Sequence, residues 1–129
     1  MRYYLDSAPL IYLIEEVEPY SSKLEARLAS NEVIQLCSEL SRLECRVKPW
    51  REGKVNLVAA FDSYFKHVIH EIVPLSATVI DLATDMRARY GFKTPDAIHL
   101  SAAIIAQCDV FLTNDYRLNR CTEIKIETL

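Results

Sequence analysis

Glycine is nearly absent from this chain: only Gly53 and Gly91 occur in 129 residues. Gly-rich phosphate loops need several glycines within one strand-to-helix turn, so a small α/β nucleotide-binding domain is a poor fit. No apolar run approaches the roughly 18 residues that a membrane span requires. Asp6 also interrupts the N-terminal stretch where a signal peptide would be apolar. A cytoplasmic protein with no membrane partner is expected. The four cysteines, Cys37, Cys45, Cys108 and Cys121, contain no C-x-x-C pair, which argues against a zinc or redox motif and for reduced thiols in the core. Positive charge is not in excess either: 15 Lys and Arg stand against 18 Asp and Glu, a net charge of −3. The chain is not built to coat nucleic acid through bulk charge.

Half of the residues are hydrophobic and 26% are charged, a composition that at this length predicts one globular domain over residues 1–129. Short apolar runs at 1–5, 33–37, 70–74, 110–113 and 124–128 read as strands. Between them lie segments of helical period. Pro9 is placed to open a helix through Leu10, Leu13 and Ile14, and Ser21 and Ser22 to cap a second. Ser38 is placed to cap a third, with Leu40, Leu43 and Val47 on one face and Lys48-Pro49 as its stop. A fourth helix is expected from Val55 to about Ile69, a fifth from Ser76 to Gly91, and a sixth opened by the Thr94-Pro95-Asp96 signal. This alternation predicts an α/β fold with a mostly parallel central sheet covered on both faces.

In such sheets ligands gather beyond the carboxyl ends of the strands, and the residues there are acidic. Asp6 follows the first strand, Asp115 follows the 110–113 strand, and Asp96 lies in the first turn of its helix. Glu44, on the helix after the second strand, is the fourth member. Carboxylates brought together repel, by roughly 4 kcal/mol for a pair 4 Å apart at an effective dielectric of about 20, so the cluster calls for a counter-charge. Oxygen-only donors select a hard cation such as Mg²⁺ or Mn²⁺, and metal-assisted phosphodiester hydrolysis is the chemistry that fits. Each acid also has an ordinary structural role available. Asp6 and Asp115 could serve turns or caps, Asp96 the helix dipole, and Glu44 an ion pair with Lys48 one turn on.

Four segments in order, Tyr4-Leu5-Asp6-Ser7, Arg42-Leu43-Glu44-Cys45, Thr94-Pro95-Asp96-Ala97-Ile98-His99 and Leu112-Thr113-Asn114-Asp115, resemble the PIN-domain nucleases, in particular the VapC toxins of bacterial toxin-antitoxin pairs. The resemblance spans nearly the whole chain, and its third and fourth segments are the specific ones. It implies a three-layer α/β/α sandwich, an Mg²⁺- or Mn²⁺-dependent endoribonuclease acting on tRNA or rRNA, and a cognate antitoxin that blocks it. Asp6, Glu44, Asp96 and Asp115 are the positions that carry over as catalytic and metal-holding residues, with Asn114 as a substitute contact for Asp115. Ser7, Thr113, Asn114 and His99 are expected beside the carboxylates, as supports and not as ligands or nucleophiles; a core histidine is the plainer reading of His99. Arg42, Arg46, Lys48 and Arg51, with Trp50 among them, are the expected RNA contacts. A homodimer is expected too, with Tyr12 and Leu13 available to it or to the antitoxin. The competing reading on the same scaffold is a catalytically inactive PIN-like protein-interaction module.

Overall fold

The computed structural model describes residues 1–129. In chain order the elements are β1 (Arg2–Leu5), α1 (Ser7–Ile14), α2 (Tyr20–Leu28), β2 (Ile34–Ser38), α3 (Glu39–Arg51), α4 (Val55–His67), β3 (Glu71–Val73), α5 (Ala77–Tyr90), α6 (Thr94–Ile105), β4 (Val110–Thr113), a 3₁₀ turn (Tyr116–Arg120) and β5 (Lys125–Thr128). The five strands form one sheet in the order β3-β2-β1-β4-β5, and every pairing is parallel. Side chains alternate across the pleat. Tyr3, Leu5, Cys37, Val110 and Leu112 join Leu10, Leu24, Phe61 and Phe65 in one core. Tyr4, Leu36 and Phe111 join Val79, Met86, Ala97 and Leu100 in the other. Helices α1 to α4 thus cover one face and α5 and α6 the other, giving the expected three-layer α/β/α sandwich. No helix is long and apolar enough to cross a membrane.

Local signals explain some boundaries and not others. Ser76 caps α5 by accepting from the Val79 N–H at 3.3 Å, and Gly91 closes that helix at φ +74°, where a side chain would be strained. Ser21 and Ser22, by contrast, sit inside α2; the capping acceptor is Glu18, which receives both the N–H and the hydroxyl of Ser22. Thr94 is the first helical residue of α6 and not its cap, because its hydroxyl accepts from the Arg87 guanidinium. Pro49 does not stop α3 either. The helix runs through it to Arg51, with Pro49 buried on the same side as Ser41 and Cys45, and it ends where Gly53 takes φ +69°. With that inner face filled by Ser41, Cys45 and Pro49, Leu43 and Val47 point outward, 60% and 49% exposed beside Trp50 at 67%. All four cysteines are free thiols, three buried and Cys108 partly so.

Candidate active site

Strand order places β1 in the middle: the chain leaves it toward β2 and β3 on one side and returns to β4 and β5 on the other. The carboxyl ends of β1 and β4 therefore flank the crevice where the order reverses. Leu5 is in register with Leu112, so the residues that follow, Asp6 and Thr113, lie side by side. The Asp6 N–H donates to the Leu112 carbonyl at 2.9 Å, and the Thr113 hydroxyl donates to Asp6 Oδ2 at 2.8 Å. Oδ1 of Asp6 accepts from the Ser7 N–H at 2.8 Å, capping α1. Asp6 thus takes the structural role open to it and remains fixed at the strand end.

Asp96 reaches the same place from the first turn of α6. Burial, followed by the charges of Asp6 and Asp115, raises its carboxyl above the ordinary aspartate range, and no hydrogen bond offsets the shift. Asp115 differs because Arg117 holds it. Nε and Nη2 of Arg117 donate to its two oxygens at 2.9 and 2.7 Å, which lowers its pKa. The Asp115 N–H in turn donates to Thr113 Oγ1 at 3.1 Å. Asp6, Thr113, Asn114, Asp115, Tyr116 and Arg117 line a cavity of about 530 Å³. Asp96, Asp115, Arg117 and Lys93 line a smaller one of about 130 Å³ next to it. Asn114 points its amide to the Tyr12 hydroxyl at 2.7 Å.

Glu44 belongs to a different hydrogen-bonded group. Its Oε1 accepts from the Ser7 hydroxyl at 2.7 Å and lies 2.5 Å from His99 Nε2. Burial of this carboxyl favours the neutral form, but the hydrogen bonds from His99 and Ser7 favour the ionised form and prevail, so the pKa is lowered. The alternative pairing of Glu44 with Lys48 does not form, its partners being Ser7 and His99. His99 is 1% exposed, and its other nitrogen meets the Tyr4 hydroxyl at 2.7 Å. It is 3.7 Å from Asp6 Oδ1, which links this group to the aspartates.

No three His, Cys, Asp or Glu side chains come close enough to close on a metal ion. The donor chemistry nonetheless fits a hard divalent cation. Of the three carboxylates Asp115 is ion-paired with Arg117, whereas Asp96 has no salt bridge and lies against the charges of the other two.

The basic residues of α3 stand apart from these aspartates. Arg42 pairs with Glu39 at 2.9 Å and Arg46 with Asp62 at 3.1 Å. Both line a separate depression with Leu43, Val47, Trp50 and Arg51, while Lys48 is exposed. Sequence reasoning assigned no role to Tyr4 and did not pair Arg117 with Asp115. Arg117 carried a usable signal, a cation two residues after Asp115. Tyr4 carried none, since its partner is 95 residues away.

The PIN domain family model matches residues 3–124. The chain belongs to the PIN domain family. Solved structures similar to this PIN domain include VapBC2 from Rickettsia felis bound to a DNA fragment from their promoter, with a TM-score of 0.79, 19% identity and coverage of 99% of this chain and 98% of that one. A toxin-antitoxin complex from Klebsiella pneumoniae gives 0.74, 18%, 98% and 96%. Mycobacterium tuberculosis VapC20, a sarcin-ricin loop cleaving toxin, gives 0.74, 12%, 95% and 98%. At these identities the likeness is one of fold. Comparison with curated proteins gives no match.

The raised pKa of Asp96 carries a stability consequence. The folded chain holds this proton to higher pH than the unfolded chain, whose carboxyl titrates near 3.8. Asp96 is therefore least costly below that value, and stability is lost as pH rises from it through the folded pKa. Asp96→Asn removes the loss. In metal-free protein above that window the variant should melt roughly 3–5 °C higher, equivalent to no more than about 1 kcal/mol once solvent screening is counted. The difference should vanish at acid pH in scanning calorimetry. A variant that melts below wild type at neutral pH would make the helix-terminal role of Asp96 the dominant one.

Proposed function

We propose that this PIN domain is a divalent-metal-dependent endoribonuclease, the toxin of a toxin-antitoxin pair, with tRNA or rRNA as substrate. The observation that carries the reading is the unpaired Asp96 carboxylate set against Asp6 and Asp115 at the ends of β1 and β4. Asp6, Asp96 and Asp115 would hold Mg²⁺ or Mn²⁺, with Glu44 at their edge. The ion would supply positive charge to the phosphate and acidify a bound water. Asp6 is kept in place by Ser7 and Thr113, Glu44 by Ser7 and His99. Arg117, on releasing Asp115, offers a planar fork that suits a phosphate. Lys48 and Arg51 remain free for RNA, whereas Arg42 and Arg46 first have to leave their ion pairs.

The toxin-antitoxin neighbours support an antitoxin partner. The outward row of Leu43, Val47 and Trp50 on α3 is an apolar face of the kind a partner segment covers. Tyr12 is less available, being stacked on Tyr20 and bonded to Asn114. A homodimer and a cytoplasmic location complete the reading.

The test is RNA cleavage with Mg²⁺ or Mn²⁺ and with excess EDTA. Cleavage should require the metal and leave 5′-phosphate and 3′-hydroxyl ends. Activity undiminished by EDTA, or 2′,3′-cyclic phosphate ends, would overturn the reading by pointing to attack from the ribose hydroxyl.

A further inference from the structure

The Tyr4 side chain is fully buried, and its hydroxyl lies 2.7 Å from Nδ1 of His99. Across the imidazole, Nε2 lies 2.5 Å from Oε1 of Glu44. The ring thus bridges a hydroxyl deep in the core and a carboxylate at the edge of the candidate site. Hydrogens along this chain have one consistent direction. An ionised carboxylate only accepts, so Nε2 carries the hydrogen that Glu44 receives. Nδ1 of the neutral ring is then bare, and Tyr4 donates to it. The opposite assignment, or a hydrogen on both ring nitrogens, strands the phenolic hydrogen at a fully buried atom, because Nδ1 of His99 is the one hydrogen-bond partner of the Tyr4 hydroxyl. Oε1 of Glu44 also receives the Ser7 hydroxyl at 2.7 Å, whereas Oε2 has no partner in the chain.

We propose that Tyr4 is a positioning residue: through one tautomer of His99 it fixes the Glu44 carboxylate, so that Oε1 is occupied and Oε2 alone is offered to the site. The use made of Oε2 rests on the nuclease reading; the tautomer rests on geometry alone. The order of the chain is Tyr4 to His99 to Glu44. Its core end is held by Phe111, whose ring stacks on Tyr4 at 5.3 Å, and by the edge contact of Tyr4 with His99 at 5.7 Å. Removing only the hydroxyl leaves both ring contacts in place.

The test combines nitrogen NMR of the ¹⁵N-histidine-labelled full chain with kinetics of Tyr4→Phe. In wild type, His99 should appear as a single tautomer with hydrogen on Nε2 and bare Nδ1, while the exposed His67 averages between forms. In Tyr4→Phe the His99 signals should move toward a mixture. Its kcat for RNA cleavage should fall roughly 10- to 100-fold, the usual cost of losing a partner that orients a site residue, with KM unchanged. A purely structural role would lower the amount of folded protein and leave kcat per folded molecule intact. Hydrogen on Nδ1 in wild type, or tautomer averaging like that of His67, overturns the proposal even if Tyr4→Phe fails to fold. Wild-type kcat in Tyr4→Phe overturns it too. A wild-type protein that shows the expected tautomer and cuts no RNA with either metal overturns the nuclease reading instead, and with it the use of Oε2.

Discussion

Asp6→Asn is expected to reduce RNA cleavage by roughly 10³-fold or more, on the scale seen when a central active-site residue is removed, while the protein keeps its fold. The amide retains an oxygen to accept the Ser7 N–H, and its NH₂ can donate to Thr113 Oγ1 where the carboxylate accepted. One unit of negative charge is gone from beside Asp96, so metal-free protein should melt no lower than wild type. Stabilisation by Mg²⁺ or Mn²⁺ should shrink as well, since ligand binding raises the melting temperature only as far as the site binds the ion. Retained cleavage in the variant would remove Asp6 from the machinery and leave it as the cap of α1.

Phe111→Ala should act through stability. The ring is fully buried on β4, stacked on Tyr4 and packed in the core beneath α5 and α6. Truncation there costs about 3–5 kcal/mol, a large share of the roughly 5–15 kcal/mol that holds a domain together. A melting temperature lower by about 10–20 °C follows. Leu43→Ala, an apolar truncation on the exposed face of α3, should cost less than about 1 kcal/mol of stability. Urea melts of the two variants check the pair, and equal losses would mean that Leu43 is covered in solution.

The sequence anticipates the architecture because strand and helix periods alternate cleanly, and it points to the aspartates because Asp6 and Asp115 follow strands and Asp96 lies in the first turn of a clearly signalled helix. Its failures have local causes. Pro49 was read as a stop, but burial of Ser41, Cys45 and Pro49 on one face carries α3 through it. The same inner face leaves Leu43 and Val47, which share a helix face, turned toward solvent. Thr94 has the composition of a cap, yet a tertiary contact with Arg87 claims its hydroxyl. Glu44 finds partners that no spacing foretells, Ser7 and His99, both of which also touch Asp6. The two Glu44 pairings join residues 37 and 55 positions apart, beyond the reach of spacing rules that operate over one or two turns.

The central position of β1 bears on how the protein comes off the ribosome. This strand is made first, yet its β4 neighbour is not complete until Thr113, and the Thr113 hydroxyl reaches Asp6 across 107 positions. Contacts of such separation close late and slow folding. During synthesis, at roughly 5–20 residues per second, the segment carrying Asp6, Ser7 and Glu44 therefore waits for the segment carrying Asp96, Thr113 and Asp115. Until then a nascent chain has only part of the site. Whatever this site does, a nascent chain that still lacks β4 cannot begin it.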